Sequence, residues 1–484
     1  MNTLETRRPA PARYAAACAA RLLMLAGVAL LACYVPPPPG SQQASSAGLM
    51  ALTRVTVIDA TGAPARPGMT VVIADGRIAA IGEDGKTPAP KGAQVIDASG
   101  KYLIPGLWDM HVHLAKAGEN TLPLFITNGV TSVRDMGGDG AMVLKWRDEI
   151  AAGKRLGPRI KAAGPIFESA SNVARMKREG TVEPVDRFRV GVEGPEEAAG
   201  AVERVAKLGV DFIKIRTVAS PETYRAIAAA ARKHNLALVG HQADAPEEVV
   251  KAGQRSIEHS FFPPLSDRTE DQRAELFRKL AVDGIVVTPT LVVGAALLAP
   301  YEKAAAIAAD GQGRLDRRRK YLSGYLIEDW REQAEEKKGM SDDLTRLLAE
   351  RLRDLREMRR AGVRLLPGTD VAVLLIWPGF SLHDELQSLV EQVGLTPMEA
   401  LLCATRFPAE FMGMRETLGT IEPGKIADLA LLDANPLDDI RNTTKIHAVI
   451  VNGRYFPKER LQQMLIDVEA AANRANRVGS RRGE

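Results

Sequence analysis

The pattern of apolar and polar positions changes period near residue 105. Before it, residues 53–58 and 69–74 alternate, as strands with one buried face do. Asp75-Gly76 separates 69–74 from an apolar run at 77–81, and Asp-Gly between two such runs predicts a tight hairpin. Further short runs at 93–98 and 102–104 complete a small all-β unit over 51–104. From 105 to 418 strand-length apolar runs alternate with helical patterns. The candidate strands are 106–111, 130–135, 159–163, 212–215, 237–240, 256–259, 285–289 and 364–368. Eight strands, each followed by a helix, predict a parallel sheet closed into a barrel. Strands return at 429–432 and 447–451, with Asn452-Gly453 as a turn. The predicted fold is therefore α/β: a (β/α)8 TIM barrel over 105–418, and a small β-sandwich built from both chain ends, 51–104 and 419–457. A terminal helix with a basic end follows over 458–484.

Two stretches exceed a minimal barrel. Residues 170–194 are polar and charged, an insertion after the third strand. Residues 301–360 are helical and charge-rich, with Leu344, Leu347, Leu348, Leu352 and Leu355 on one helical face. Inserts at the top of a barrel can be lids over a site, and a solvated helical excursion fits the pattern equally.

Composition narrows the class. The 484 residues are 45% hydrophobic and 26% charged, ordinary for a globular protein. The net charge is +4, most of it from Arg7, Arg8, Arg13 and Arg21, which face only Glu5. No basic stripe remains, so nucleic acid is not an expected partner. Cys18, Cys33 and Cys403 form neither a C-x-x-C pair nor a zinc-finger spacing, so a disulfide scaffold is excluded. The amino-terminal arginines precede an apolar run at 22–32, too short to span a bilayer and right for an export signal. Leu30-Leu31-Ala32-Cys33 resembles the lipobox of bacterial lipoproteins, which predicts a signal over 1–33 and lipidation of Cys33. A plain secretory signal is the alternative, and a start at Met50 would give a cytoplasmic form. Residues 34–50, rich in Pro, Ser, Gln, Ala and Gly, then form a flexible tether.

Four of the seven histidines fall at or just past the ends of predicted barrel strands: His111, His113, His241 and His259. That rim is where such barrels build active sites. His111 and His113 are two apart, so both rings face one side of a strand and can reach one ion. Lys214 sits within Phe-Ile-Lys-Ile, a buried setting rather than that of a snorkelling surface lysine. His234 and His447 read as structural. His383, in a segment after strand eight, suits either a substrate contact or a helix cap.

These residues form a recognisable order. Residues 105–113, Pro-Gly-Leu-Trp-Asp-Met-His-Val-His, carry the Pro-Gly-Leu-x-Asp-x-His-x-His signature. Phe212-Ile213-Lys214-Ile215, Gly240-His241, Ser256-Ile257-Glu258-His259 and Gly368-Thr369-Asp370 follow, and 419–429 returns to the β unit. In this the chain resembles the amidohydrolase superfamily over about 51–455. The resemblance implies two divalent cations, usually zinc. His111, His113 and Asp370 would hold the buried ion, and His241 and His259 the exposed one. Lys214, carbamylated by CO2, would bridge them together with a hydroxide. The chemistry agrees with the residue types. Imidazole and carboxylate suit Zn2+, and two cations lower the pKa of a shared water from about 15.7 toward 7. A plain lysine is protonated near neutral pH and cannot bridge cations, whereas its carbamate can. Asp370 would be both ligand and general acid/base, taking the proton of the attacking hydroxide and passing it to the leaving nitrogen.

The Lys, His, His, Asp set most resembles the prolidase-like and imidazolonepropionase-related branch. That points to a small-molecule amide or peptide substrate: a dipeptide, an Xaa-Pro bond or an N-acyl amino acid. A lactonase or phosphotriesterase on the same site, and a non-catalytic binding scaffold, are the competing readings; the complete ligand set weighs against the scaffold. A substrate carboxylate needs a cation, and Arg216 and Arg134 are the candidates, each otherwise paired with Asp135 or Glu258. Tyr224 and Trp377 are further candidates for the pocket lining. Oligomeric state is not legible. The amino-terminal segment predicts an exported protein, periplasmic or tethered to the outer membrane through Cys33. Fractionation of native cells should find the chain outside the cytoplasm; recovery in the soluble cytosolic fraction would contradict this.

Overall fold

The computed structural model describes residues 48–480 apart from 243–244, 262–263 and 337–342, with side chains to 476. The signal segment with Cys33, and the tether up to residue 47, lie outside the described residues. Met50 already begins the first strand.

The amino-terminal strands are β1 (Met50–Val57), β2 (Arg66–Ala74), β3 (Arg77–Glu83), β4 (Gln94–Asp97) and β5 (Tyr102–Pro105). The central strands are β6 (Leu107–Val112), β7 (Val130–Asp135), β8 (Arg159–Ala162), β9 (Ile166–Ser169), β10 (Arg189–Val192), β11 (Phe212–Ile215), β12 (Ala237–Gly240), β13 (Ser256–Glu258) and β14 (Val286–Thr288). The last are β15 (Leu429–Leu432), β16 (Ile446–Val451) and β17 (Arg454–Pro457).

The two chain ends share one eight-stranded sheet, ordered β17-β16-β15-β5-β1-β2-β3, with β4 also on β1. β15 runs antiparallel to β5, Leu429 opposite Pro105 and Leu432 opposite Tyr102, which closes the chain on itself. β1 forks the sheet: Met50 to Thr53 pair with β4, and Thr56 and Val57 with β5. Met50, Leu52, Val71, Leu103, Leu429, Leu431 and Ile450 fill the core it encloses.

The central strands are parallel. They form two sheets, β6-β7-β8 and β10-β9-β11-β12-β13-β14. β6, β7, β11, β13 and β14 are buried at every position, as strands covered on both faces must be. Among the described residues no ladder closes the two sheets into one ring, but hydrogen bonds cross each gap. Asp211 N donates to Ala162 O at 2.8 Å. On the other side lies the segment expected as strand eight. It meets its neighbours only through isolated parallel bridges, Leu365 with Val287 and Val371 with Val112. Leu366 N donates to Val287 O, and Met110 N to Pro367 O. Pro367 has no N–H to give, and the next donor toward β6, Thr369 N, turns to the Asp109 side chain at 3.0 Å instead of a strand carbonyl.

Two expectations change. The stretch 170–194 is not wholly a polar excursion: β9 and β10 pair side by side around the helix Ala170–Glu179 and extend the larger sheet. The stretch 301–360 divides by role. Its helix Tyr325–Glu336 lies at the mouth of the site, held by Trp330 Nε1 donating to Ala372 O at 3.0 Å and Leu374 N donating to Gln333 Oε1 at 2.8 Å. Its helix Asp343–Arg360 belongs instead to the outer helical layer, burying Leu355 and Met358.

Candidate active site

Five of the six expected ligands stand at or just past the carboxyl end of a central strand, and Asp370 follows the irregular eighth segment. His111 lies in β6 and His113 just past it; Lys214 is in β11. His241 follows β12 and His259 follows β13. Local sequence makes these placements possible. Gly240 has φ +136°, and a Cβ there would meet Ile215 O at 2.0 Å, so only glycine can bring His241 beside β11. A Cβ on Gly368 would lie 2.7 Å from that of His111, so glycine lets the eighth segment approach the first strand. Asp109, buried beneath, accepts from Thr369 Oγ1 at 2.6 Å, Thr369 N at 3.0 Å and His111 N at 3.2 Å, tying the two segments that supply ligands. Burial pushes its carboxyl up to about 7.

The histidines are oriented from behind. Nδ1 of His111 is 2.8 Å from Glu258 Oε2, and Nδ1 of His113 is 2.7 Å from Gly137 O. A carboxylate and a carbonyl only accept, so each Nδ1 carries the proton and each Nε2 presents its lone pair. Nδ1 of His259 pairs with Thr290 Oγ1 at 2.7 Å. The Nε2 atoms converge on Asp370: 3.4 Å for His111 and 3.3 Å for His113 to Oδ1, and 3.9 Å for His259 to Oδ2. Ligand atoms about 2.0–2.1 Å from one tetrahedral ion stand roughly 3.3–3.4 Å apart, so the spacing suits a shared cation better than a hydrogen bond. His111, His259 and Asp370 form a cluster whose ligand atoms lie within 4.8 Å of one another. The His241 ring stands edge-on to that of His259, 5.0 Å between centroids.

The electrostatics match. Burial pulls His111 down to about 4 and lowers His241 and His259 well below their ordinary value, so all three are neutral at pH 7. Burial raises Asp370, but the surrounding imidazoles outweigh it and keep the carboxylate ionised. Lys214 is buried, its Nζ has no hydrogen-bond partner among the described residues, and burial brings it down to about 8. An unpartnered buried amine is costly unless it meets another group.

These side chains floor a cleft of about 380 Å³. Lys116, Glu183, Arg189 and Arg216 line its walls, with Asp329, Glu332, Gln333 and Glu336 from the helix Tyr325–Glu336. Lys116 Nζ lies 3.2 Å from Glu183 and 3.3 Å from Asp329, joining three separate segments at the mouth. Arg216 Nη1 donates to Glu168 Oε1 at 3.0 Å, and its side chain remains 41% exposed toward the cleft.

The other candidates part company. Arg134 does not face substrate: it is fully buried, and Nη2 donates to both Glu258 oxygens at 2.8 Å and to Thr288 Oγ1 at 3.0 Å. His383 is buried against Thr443 Oγ1 at 2.9 Å and lies outside the cleft lining. Tyr224 is buried, its hydroxyl on Gln254 Oε1, and it lines a smaller neighbouring cavity of about 260 Å³ behind Arg216. Trp377 packs edge-on against Trp330 in the core. Sequence reading did not give Asp109 and Glu258 their supporting roles, although both stand inside the quoted motifs. Glu183, Arg189 and Asp329 carried no signal, because they come from the two inserts.

The amidohydrolase family profile matches residues 102–455, and the chain belongs to that family. With this family and its relatives, the chain is a hydrolase acting on carbon–nitrogen bonds. Ochratoxinase of Aspergillus niger is 25% identical over 439 residues, covering 80% of this chain and 81% of that protein. The crystal structure of a putative prolidase from Bifidobacterium longum is 26% identical with TM-score 0.66, covering 88% of this chain and all of that one. A Xaa-Pro dipeptidase structure with methionine bound in its active site is 24% identical with TM-score 0.65, over 85% of this chain and all of that one, and shares the fold. Such neighbours imply a TIM barrel with a β-sandwich beside it.

Glu183 gives a pH prediction. Burial alone would raise its carboxyl, but Arg189 and Lys116 outweigh burial and hold it at about 2, against 4.5 ordinarily. A lowered acid pKa contributes stability that is complete above about 4.5 and is lost as pH falls toward about 2. Glu183→Gln should therefore flatten the dependence of unfolding temperature on pH across that window. Parallel curves for the two proteins would contradict the assignment.

Proposed function

We propose that the chain is a binuclear metal-dependent hydrolase that cleaves the C–N bond of peptide-like amides carrying a free carboxylate: dipeptides, Xaa-Pro or N-acyl amino acids. One observation carries this reading: Nε2 atoms of His111 and His113 stand at ligand spacing from Asp370, with that of His259 at 3.9 Å, beside a buried lysine whose Nζ has no hydrogen-bond partner among the described residues. The hydrogen bonds across the two gaps between the parallel sheets are read as the seams of a closed eight-stranded barrel, with the cleft at its carboxyl-terminal mouth.

His111, His113 and Asp370 would hold the inner cation, and His241 and His259 the outer one, with zinc the best match to imidazole and carboxylate. Lys214 would bridge them after carbamylation. Its amine, brought to about 8, is neutral more often than a free lysine. The nitrogen lone pair adds to the carbon of CO2, the ammonium proton leaves to solvent, and a carbamate with two oxygen donors remains. When bound, such cations lower the pKa of a water and polarise the scissile carbonyl. Asp370 takes the proton from the attacking water and delivers it to the leaving nitrogen. Arg216 meets the substrate carboxylate, its direction set by Glu168. The likeness to a putative prolidase supports the peptide-like class.

A substrate panel tests this. Purified enzyme with zinc should hydrolyse dipeptides or N-acyl amino acids, and amidated versions lacking the carboxylate should react poorly. Arg216→Met should raise KM for the acids about 10–100-fold while changing kcat less, as loss of a charge-assisted hydrogen bond of about 1.5–3 kcal/mol implies. Turnover of lactones or phosphotriesters alone would move the enzyme to that class.

A further inference from the structure

The backbone that presents His259 is held in an unfavourable shape. His259 and Ser260 have φ +63° and +65°, two successive left-handed residues that are not glycine. Thr290, whose hydroxyl meets the His259 ring, has φ +48°. Such conformations persist only where the surroundings over-determine them. Part of that restraint comes from far outside the cleft. Arg351, on the helix Asp343–Arg360, is 9% exposed and absent from the cleft lining. Its Nη2 donates to the carbonyl of His259 and, at 3.2 Å, to that of Pro289. One guanidinium nitrogen thus joins the residue carrying the imidazole to the residue preceding its hydroxyl partner. One turn further along the same helix, buried Asp354 accepts from Leu265 N at 3.0 Å and holds the far end of the loop that starts at His259. Glu385 Oε2 accepts from Val292 N at 2.9 Å, fixing the helix Leu291–Leu298 that starts after Thr290.

We propose that Arg351 is a positioning residue for the outer metal position: through the carbonyls of His259 and Pro289 it sets the direction of the His259 ring. The inference rests on the reading of His259 as a metal ligand. It gives the second half of the 301–360 insert a task distinct from covering the cleft. A metal ligand must be held to within about 0.5 Å, and loss of an outer-shell support typically lowers metal affinity by about 10–100-fold. The carbonyl contacts are made by the side chain alone, so shortening it should loosen the outer ion and spare the inner one, whose ligands Arg351 does not touch.

The test is competition of the purified full chain against a chromophoric zinc chelator, resolving the two equivalents, alongside the unfolding temperature. Arg351→Met should weaken one equivalent by about 10–100-fold and leave the other near its original affinity. Arg351→Lys, able to reach one carbonyl at a time, should fall between the two. Original affinity for both equivalents in a folded Arg351→Met would overturn the proposal, as would original affinity in Arg351→Lys if the methionine variant does not fold. His259→Ala separates the two levels. Loss of one equivalent there, with both retained in the Arg351 variants, rejects only the positioning role. Retention of both in His259→Ala rejects the ligand assignment and the positioning role with it.

Discussion

Glu258 and Arg134 meet without solvent beneath the histidine cluster, and the geometry above them depends on that contact. Two buried charges lose their hydration, and their attraction offsets that loss only with further hydrogen bonds around them. Here Arg134 donates through Nη2 to both carboxylate oxygens and to Thr288 and through Nε to the Met110 carbonyl, Nη1 alone having no hydrogen-bond partner among the described residues, while Glu258 also accepts from Ser256 and His111. The pair therefore binds β6, β7, β13 and β14 at the level of the ligands. Removing either partner leaves an unpaired buried charge, a loss of about 3–5 kcal/mol in comparable settings. Its chemical consequence is equally direct. With Nδ1 of His111 committed to Glu258, only Nε2 is left to face the cleft, and the ring is fixed in the tautomer a metal requires.

Around this floor the two inserts do different work. The first supplies Glu183 and Arg189, paired with each other, and Glu183 also meets Lys116, which reaches Asp329 across the mouth. The second contributes one helix that reaches the mouth and another that grips the backbone at the ends of β13 and β14. The wall they build is polar and carries both signs of charge, and Arg216, paired with Glu168, stays 41% exposed beside the histidine cluster. A cleft of about 380 Å³ with this half-exposed guanidinium in its lining suits the small anionic amide proposed above.

The strands and ligands were legible because their signals are local. Val130–Asp135, Phe212–Ile215 and Ala237–Gly240 stand where the apolar runs placed them, and the histidines mark strand ends without ambiguity. The eighth segment was legible as an apolar run but not as an irregular one, since its backbone turns to a side-chain partner, Thr369 N to Asp109, which hydrophobicity does not register. β10 escaped notice because Arg189-Val190-Gly191-Val192 is short and surrounded by charge. Arg134 was legible as a cation with two alternative roles, a substrate contact or a salt bridge to Asp135 or Glu258; only the fold, which brings Glu258 from 124 residues away, decides for Glu258. Glu183, Asp329 and Arg351 share that difficulty, because their partners are set by how the inserts fold back and not by spacing.

The central claim is that this cluster holds two divalent ions bridged through Lys214. Elemental analysis of the purified chain beside Lys214→Ala tests it most directly. The account predicts two equivalents of zinc or a similar ion in the original protein and a marked loss in the variant, together with loss of hydrolysis. One equivalent or none, unchanged by the substitution, would contradict it.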